Sequence, residues 1–241
     1  MRVAWFSGGV SSFISIYLAK DIDKIFYIHI EEQHEDTLRF LKDCEVFLGR
    51  KIEILQSPYK SVENVMRINQ MISRRMYAPC TDWLKKRVRI KWESENKDKD
   101  ITYVWGYDLE EKDRIERMIE FYPDYQHEFP LADANMTKQD AHGLLERLGL
   151  KRPVMYDLGY KNNNCIGCVK GGMAYWNKIR VDFPDVFDKM AKFEREIDNS
   201  CLKQLIDKKY IPLFLDELAP DRGIFEDEIS SECGMMCFLN M

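Results

Sequence analysis

Arg2–Phe6 is a short apolar run that stops at Ser7-Gly8-Gly9, and apolar positions then recur at helical spacing from Phe13 to Ala19. Strand, glycine turn and helix is the order this pattern predicts. A second strand is expected over 25–30, and the helix after it over Asp36–Phe47, with Leu38, Leu41 and Phe47 on one side. A third strand is expected over 52–55. Helices follow over 62–76 and 83–95, the second of them rich in base: Lys85, Lys86, Arg87, Arg89 and Lys91. Residues 103–105 read as a strand ending at Gly106, and 110–120 as a charged helix. Strands alternating with helices predict a doubly wound α/β fold, a mostly parallel sheet covered on both faces. Ligands on such sheets bind beyond the carboxyl ends of the strands.

The pattern changes after about residue 125. Thr137 is a good N-cap, with Asp140 three residues on in the manner of a capping box, for a helix that stops at Gly149. Asn162-Asn163-Asn164 marks a loop. Residues 174–199 read as one or two helices interrupted near Pro184, and 211–241, with Pro212, Pro220 and Gly223, as an irregular tail. The expected organisation is a nucleotide-binding α/β core over 1–125. A helical, cysteine-containing segment over 126–241 completes the same domain.

Composition narrows the classes. The 241 residues are 45% hydrophobic, and 36 basic residues face 41 acidic ones for a net charge of −5. That balance argues against coating nucleic acid by bulk electrostatics and leaves room only for a local basic groove. No stretch approaches the ~20 apolar residues of a membrane span, and the run before Ser7 is too short for the apolar part of a secretory signal. A soluble, cytoplasmic protein is the expectation. Seven cysteines, an odd number, make a disulfide scaffold a poor reading. Cys44 and Cys201 stand alone. Cys80, the pair Cys165 and Cys168, and the pair Cys233 and Cys237 have the spacing of metal or redox chemistry.

Ser7-Gly8-Gly9-Val10-Ser11-Ser12 sits between strand and helix, where adjacent glycines allow close approach of an anion and the helix offers unpaired N–H groups. It lacks the Gly-Lys-Ser/Thr ending of a Walker A loop and the Gly-x-Gly-x-x-Gly dinucleotide fingerprint. The plainer alternative is a tight turn with an N-cap. The hexapeptide resembles the Ser-Gly-Gly-x-Asp-Ser signature of the PP-loop superfamily, which binds the pyrophosphate of ATP, with Ser11 in place of the aspartate. The resemblance implies an adenine nucleotide with Mg²⁺.

Pro153-Val154-Met155-Tyr156-Asp157-Leu158-Gly159-Tyr160 followed by Cys165-Ile166-Gly167-Cys168 resembles a segment of the phosphoadenosine phosphosulfate (PAPS) reductase family. So do Cys80 ahead of Lys85, the set Gly106, Glu110, Glu111 and Arg114, and the tail Glu232-Cys233-Gly234. Gly171-Gly172-Met173-Ala174-Tyr175-Trp176 looks most like the short, often phage-encoded reductase-like proteins. The resemblance implies an iron–sulfur cluster held by Cys80, Cys165 and Cys168, with Thr81 or Pro79 where a further cysteine would stand and Cys233 or Cys237 as fourth ligand. Zinc held by Cys165, Cys168, Cys233 and Cys237 is the alternative, and free thiols the third reading. Cys233 is a nucleophile, a ligand, or half of a redox pair with Cys237, served by a thiol reductant or sulfur donor.

Arg114 and Lys170 are expected to fix anionic groups of the nucleotide. The basic run from Lys85 reads first as a solvated helix face. His29, His34, His127 and His142 show no metal spacing, and Glu31-Glu32-Gln33 stands where the family has its substrate-reading Asp-Thr-Gly. The double glycine favours ATP, hence adenylation and thiolation of a substrate. The tail favours a true reductase that releases sulfite through Cys233. A nucleotide-binding module without catalysis is the reading from another class. A nucleic-acid acceptor and a homo-oligomer stay open.

Overall fold

The computed structural model describes residues 1–73 and 77–223. In chain order the elements are β1 (Arg2–Phe6), α1 (Val10–Ala19), β2 (Lys24–His29), α2 (Asp36–Leu48), β3 (Glu53–Gln56) and α3 (Val62–Asn69). The single turn α4 (Pro79–Thr81) runs through a π-turn over Asp82–Lys86 into α5 (Arg87–Glu95). Then come β4 (Thr102–Val104), α6 (Lys112–Phe121), β5 (Gln126–Glu128), the short α7 (Pro130–Asp133) and α8 (Lys138–Arg147). The rest is the short α9 (Val154–Asp157), α10 (Met173–Asp182), α11 (Pro184–Ile197) and the strands β6 (Leu202–Ile206) and β7 (Lys209–Leu213).

Five strands form one sheet in the order β3-β2-β1-β4-β5, every neighbouring pair parallel. Strand residues alternate between two cores. Ala4, Phe6, Ile25, Tyr27 and Val104 face α1, α2 and α8, whereas Val3, Trp5, Phe26, Ile28 and Tyr103 face Trp92 of α5 and Met118 of α6. A sheet buried on both faces needs near-continuous apolar strands, and β1 and β2 have them. The α/β class with helices on both faces is therefore present. Leu131, Ala141, Leu145 and Tyr156, all beyond residue 125, pack into the first of these cores.

Several boundaries differ from the sequence reading. The buried side of α2 carries Thr37, Phe40, Leu41 and Cys44, while Leu38 and Phe47 are exposed. The third helix stops at Asn69, where Gln70 takes a left-handed conformation. β5 was not expected, because Gln126-His127-Glu128 is a polar edge strand. β6 and β7 pair as an antiparallel hairpin that was not predicted, and β7 carries Pro212 and runs into the first residues of the tail expected from 211. The Thr137/Asp140 capping box is formed, and Pro184 opens a new helix where the interruption was expected. Among the described residues no helix is long and apolar enough to cross a membrane.

Candidate functional site

The chain leaves β1 towards β2 and later crosses to β4 on its other side, so the loops after β1 and β4 flank the point where strand order reverses. Gly8 takes φ +86°, and a Cβ there would stand 2.7 Å from Thr37 Cγ2. Gly9 is the extended N-cap of α1 and, being glycine, gives that helix no cap of its own, so its positive end is not neutralised by the N-cap residue. The Ser7 and Ser12 hydroxyls lie 2.8 Å apart; Gly9 N–H donates to Ser7 Oγ at 3.2 Å and Ser12 Oγ donates to Gly9 O at 2.9 Å. These two hydroxyls hold the turn itself, and Val10, Ser11 and Ser12 are buried. The cradle is thus backbone more than side chain. Val10 N–H donates to the Tyr156 hydroxyl at 3.4 Å.

Gly106 has a specific reason to be glycine: a Cβ would lie 2.6 Å from Ser12 Cα and 2.9 Å from Ser12 N. The loop after β4 can close on the start of α1 only without a side chain there. Ser15 Oγ fastens the contact by donating to Trp105 O at 2.6 Å. Arg114 lies over the Tyr107 ring at 4.7 Å and pairs with Glu111. Glu111 in turn accepts from Asp108 N–H at 3.3 Å, so Arg114 braces the loop that carries Gly106.

Next to the turn, beyond the end of β2, is a cavity of about 270 Å³ lined by Cys80, Cys165 and Cys168. Cys80, from α4, and Lys85, from the π-turn that follows it, both line the cavity. Lys85 and Arg89 are buried, so the basic run is not the uniformly solvated face expected from sequence. Arg87 instead stacks on Trp83 at 4.0 Å. Gly167 takes φ +71°, and a Cβ there would meet Val186 Cγ1 at 2.8 Å and Trp176 at 3.2 Å, which fixes glycine inside the Cys-x-x-Cys turn. Cys168 N–H donates to the Tyr175 hydroxyl at 2.9 Å, and that hydroxyl donates to Cys165 O at 3.2 Å. Burial raises the Tyr175 phenol well above its ordinary value, so it stays a donor. Lys170 is half-buried beside Gly171, where any Cβ would collide with the Tyr175 ring.

Glu32 and Gln33 do structural work. The Glu32 carboxylate accepts from Val62 N–H at 2.8 Å and Glu63 N–H at 3.1 Å, and its carbonyl accepts from Ile166 N–H at 2.8 Å. Gln33 Oε1 accepts from the Tyr27 hydroxyl at 2.6 Å. His34 Nδ1 accepts from Asp36 N–H at 3.1 Å, at the start of α2.

One residue absent from the sequence-derived set joins the two features. Asn163, two positions before Cys165, donates through Nδ2 to Gly8 O at 2.8 Å and Thr37 Oγ1 at 3.0 Å. Its Oδ1 is buried and has no protein partner. The asparagine triplet ahead of the cysteines was the only signal in the sequence. Cys201, read as isolated, packs against the same apolar cluster as Cys80 and Cys165. Cys233 and Cys237 lie outside the described residues. Among the described residues, no three His, Cys, Asp or Glu side chains converge closely enough to hold a single metal ion.

No family model matches the chain. It is similar to an uncharacterized protein of Methanocaldococcus jannaschii, 26% identical over 202 residues, which is 79% of this chain and 41% of that relative. The chain thus spans about two fifths of the relative's length.

Proposed function

We propose that this chain is a PP-loop enzyme resembling the PAPS reductases, which binds an adenine nucleotide, ATP in preference, at Gly8-Gly9 and carries out adenylyl-linked sulfur chemistry at the cysteine cavity. The observation that supports it is Asn163: the loop that brings Cys165 and Cys168 to the cavity is hydrogen-bonded to the glycine turn itself. A nucleotide site and a thiol site built on one loop suit a reaction that activates a substrate at one and adds sulfur at the other.

In this reading the amides at the start of α1 receive the phosphates, with Mg²⁺ as counter-ion, and Lys170 and Arg114 complete the anion environment. A substrate oxygen attacks the α-phosphorus of ATP and pyrophosphate leaves; a sulfur nucleophile then displaces AMP, taking the place of that oxygen on the substrate. The cluster implied by the family resemblance would be held by Cys80, Cys165 and Cys168, whose thiols line one cavity. When bound, it supplies electrons or a site for sulfide. Zinc on Cys165, Cys168, Cys233 and Cys237 is the competing reading.

The test is calorimetry with ATP and with adenosine phosphosulfate, followed by assays for pyrophosphate and for sulfite. ATP binding in the micromolar range that weakens at least tenfold in Gly8→Val, with pyrophosphate released, is the expected result. Sulfite release without pyrophosphate would move the assignment to the reductase reaction through Cys233. Binding of neither nucleotide would overturn the proposal.

A further inference from the structure

We propose that the cavity beside the glycine turn is a pocket for the apolar chain of a small carboxylic acid, whose carboxylate is held by Lys85 and is the oxygen that ATP activates. The inference rests on the reading of the glycine turn as an ATP site and names a substrate class for it. Most of the lining is hydrocarbon and thioether: Ile30 just past β2, Val62 and Met66 from α3, and Val186, Met190 and Phe193 from α11. The two helices are tied together. Lys189 pairs with Glu63 at 2.5 Å, Arg67 pairs with Glu196, and the Arg67 guanidinium lies over the Phe193 ring at 4.7 Å. They make one apolar wall, and the thiols of Cys80, Cys165 and Cys168 complete the lining.

Native interiors leave few voids larger than a water molecule. This cavity of about 270 Å³, filled to the usual interior density of about 0.74, takes on the order of ten non-hydrogen atoms. Apolar walls with a few placed polar groups are the make-up of a small-molecule pocket. The carboxylates of the lining are engaged or outside. Glu32 accepts from Val62 N–H and Glu63 N–H, Glu63 is paired with Lys189 and Arg67, and Glu31 is exposed. Gln33 Oε1 accepts from the Tyr27 hydroxyl and from Ile30 N–H. Of the two lysines on the lining, Lys189 is largely exposed and Lys85 is buried. An ammonium held among apolar groups selects an anion over a neutral group. The lining suits a nucleobase poorly. A base needs a ring face to stack on, and Phe193, the only ring on the lining among the described residues, already has Arg67 over it.

The chemistry balances without electron transfer. One carboxylate oxygen attacks the α-phosphorus of ATP, and the bond to pyrophosphate breaks. Hydrosulfide then adds to the acyl carbon, AMP departs with that oxygen, and a thiocarboxylate and a proton are formed.

The experiment is calorimetry of the full chain with octanoate as the probe. Its comparisons are 1-octanol, which lacks the charge, succinate, which lacks the apolar chain, and uridine. Octanoate is expected to bind about tenfold or more tightly than any of the three. Lys85→Met should weaken octanoate about tenfold and leave 1-octanol unchanged, whereas Met190→Trp, which fills the cavity, should weaken both. Neither should move ATP affinity. Pyrophosphate release from ATP in the presence of hydrosulfide should rise about tenfold when octanoate is added. No octanoate binding, equal binding of octanoate and 1-octanol, or tighter binding of uridine by the wild-type chain would overturn the assignment, and none of these needs a variant. Octanoate that binds beside ATP without raising pyrophosphate release would overturn its role as acceptor while leaving the ATP site standing. A chain that binds octanoate but not ATP would strike the nucleotide reading, and the acceptor role with it.

Discussion

The glycine turn and the cysteine cavity are neighbours built on opposite plans. Ser7, Gly8, Gly9 and Ser12 make the turn within six positions, and most hydrogen bonds that shape it stay inside those positions. The cavity takes Cys80 from α4, Cys165 and Cys168 from a loop some 85 residues later, and its rim from the loop after β2. A local motif survives as a pattern in sequence because its geometry depends on adjacent residues. An assembled site does not, because its geometry depends on how helices pack.

The turn also has remote dependences, and breaking its contact with Gly106 should give the largest effect. A methyl group at Gly106 would press on Ser12 Cα and N, backbone atoms in the first turn of α1 that cannot rotate away. Gly106→Ala is expected to lower stability by about 1–3 kcal/mol and ATP affinity by tenfold or more, measured by urea unfolding and calorimetry. Gly49→Ala is the comparison: its φ is +61° but nothing lies within 4 Å, so only the left-handed strain of about 1–2 kcal/mol is expected, with no change in ATP affinity. Equal ATP affinity in both variants would show that the turn stands without the loop after β4.

The same contrast explains what was legible in the sequence. The run from β1 through Gly8-Gly9 to α1, the Thr137 capping box and the helix break at Pro184 each rest on adjacent residues, and each is found as expected. β5 was hidden because Gln126, His127 and Glu128 form an edge strand that has no apolar alternation. The β6–β7 hairpin was hidden because Pro212 argues against a strand in a large sheet but is tolerated in a two-stranded ribbon. On α2 the helical period was right and the face was wrong: Phe40 and Cys44 turn inward where Leu38 and Phe47 were expected. Cys201 carried no spacing signal at all, because α10 and α11 supply its position.

Asn163 is where the two plans meet, and its removal should separate them. The amide donates to Gly8 O and Thr37 Oγ1 in a buried setting, so Asn163→Ala strands both acceptors at a cost of about 1–2 kcal/mol. The selective readout is the difference between sites: ATP affinity should fall several-fold while iron uptake at the cysteines is unchanged. A loss of iron uptake equal to the loss of ATP affinity would mean that the loop folds as one unit and that the side chain has no separate role at the turn.

The smallest effect is expected from pH, through a histidine that packs beside the turn. Tyr156, whose hydroxyl accepts from Val10 N–H, has His142 standing edge-on to its ring at 4.6 Å. Burial, with Lys138 and Arg152 nearby, lowers the His142 imidazole from its ordinary value of 6.5 to about 4. The neutral ring is therefore the native form, and between those values the unfolded chain binds the proton that the folded chain refuses. Stability from this residue is complete above the unfolded value of 6.5 and is lost as pH falls towards about 4. Urea unfolding should show a loss of about 1 kcal/mol between pH ~7 and ~5.5 that is absent in His142→Phe, which keeps an aromatic edge against Tyr156 and cannot titrate. If the variant keeps the full slope, the proton is taken up elsewhere, and the packing of His142 on Tyr156 holds the turn without any electrostatic part.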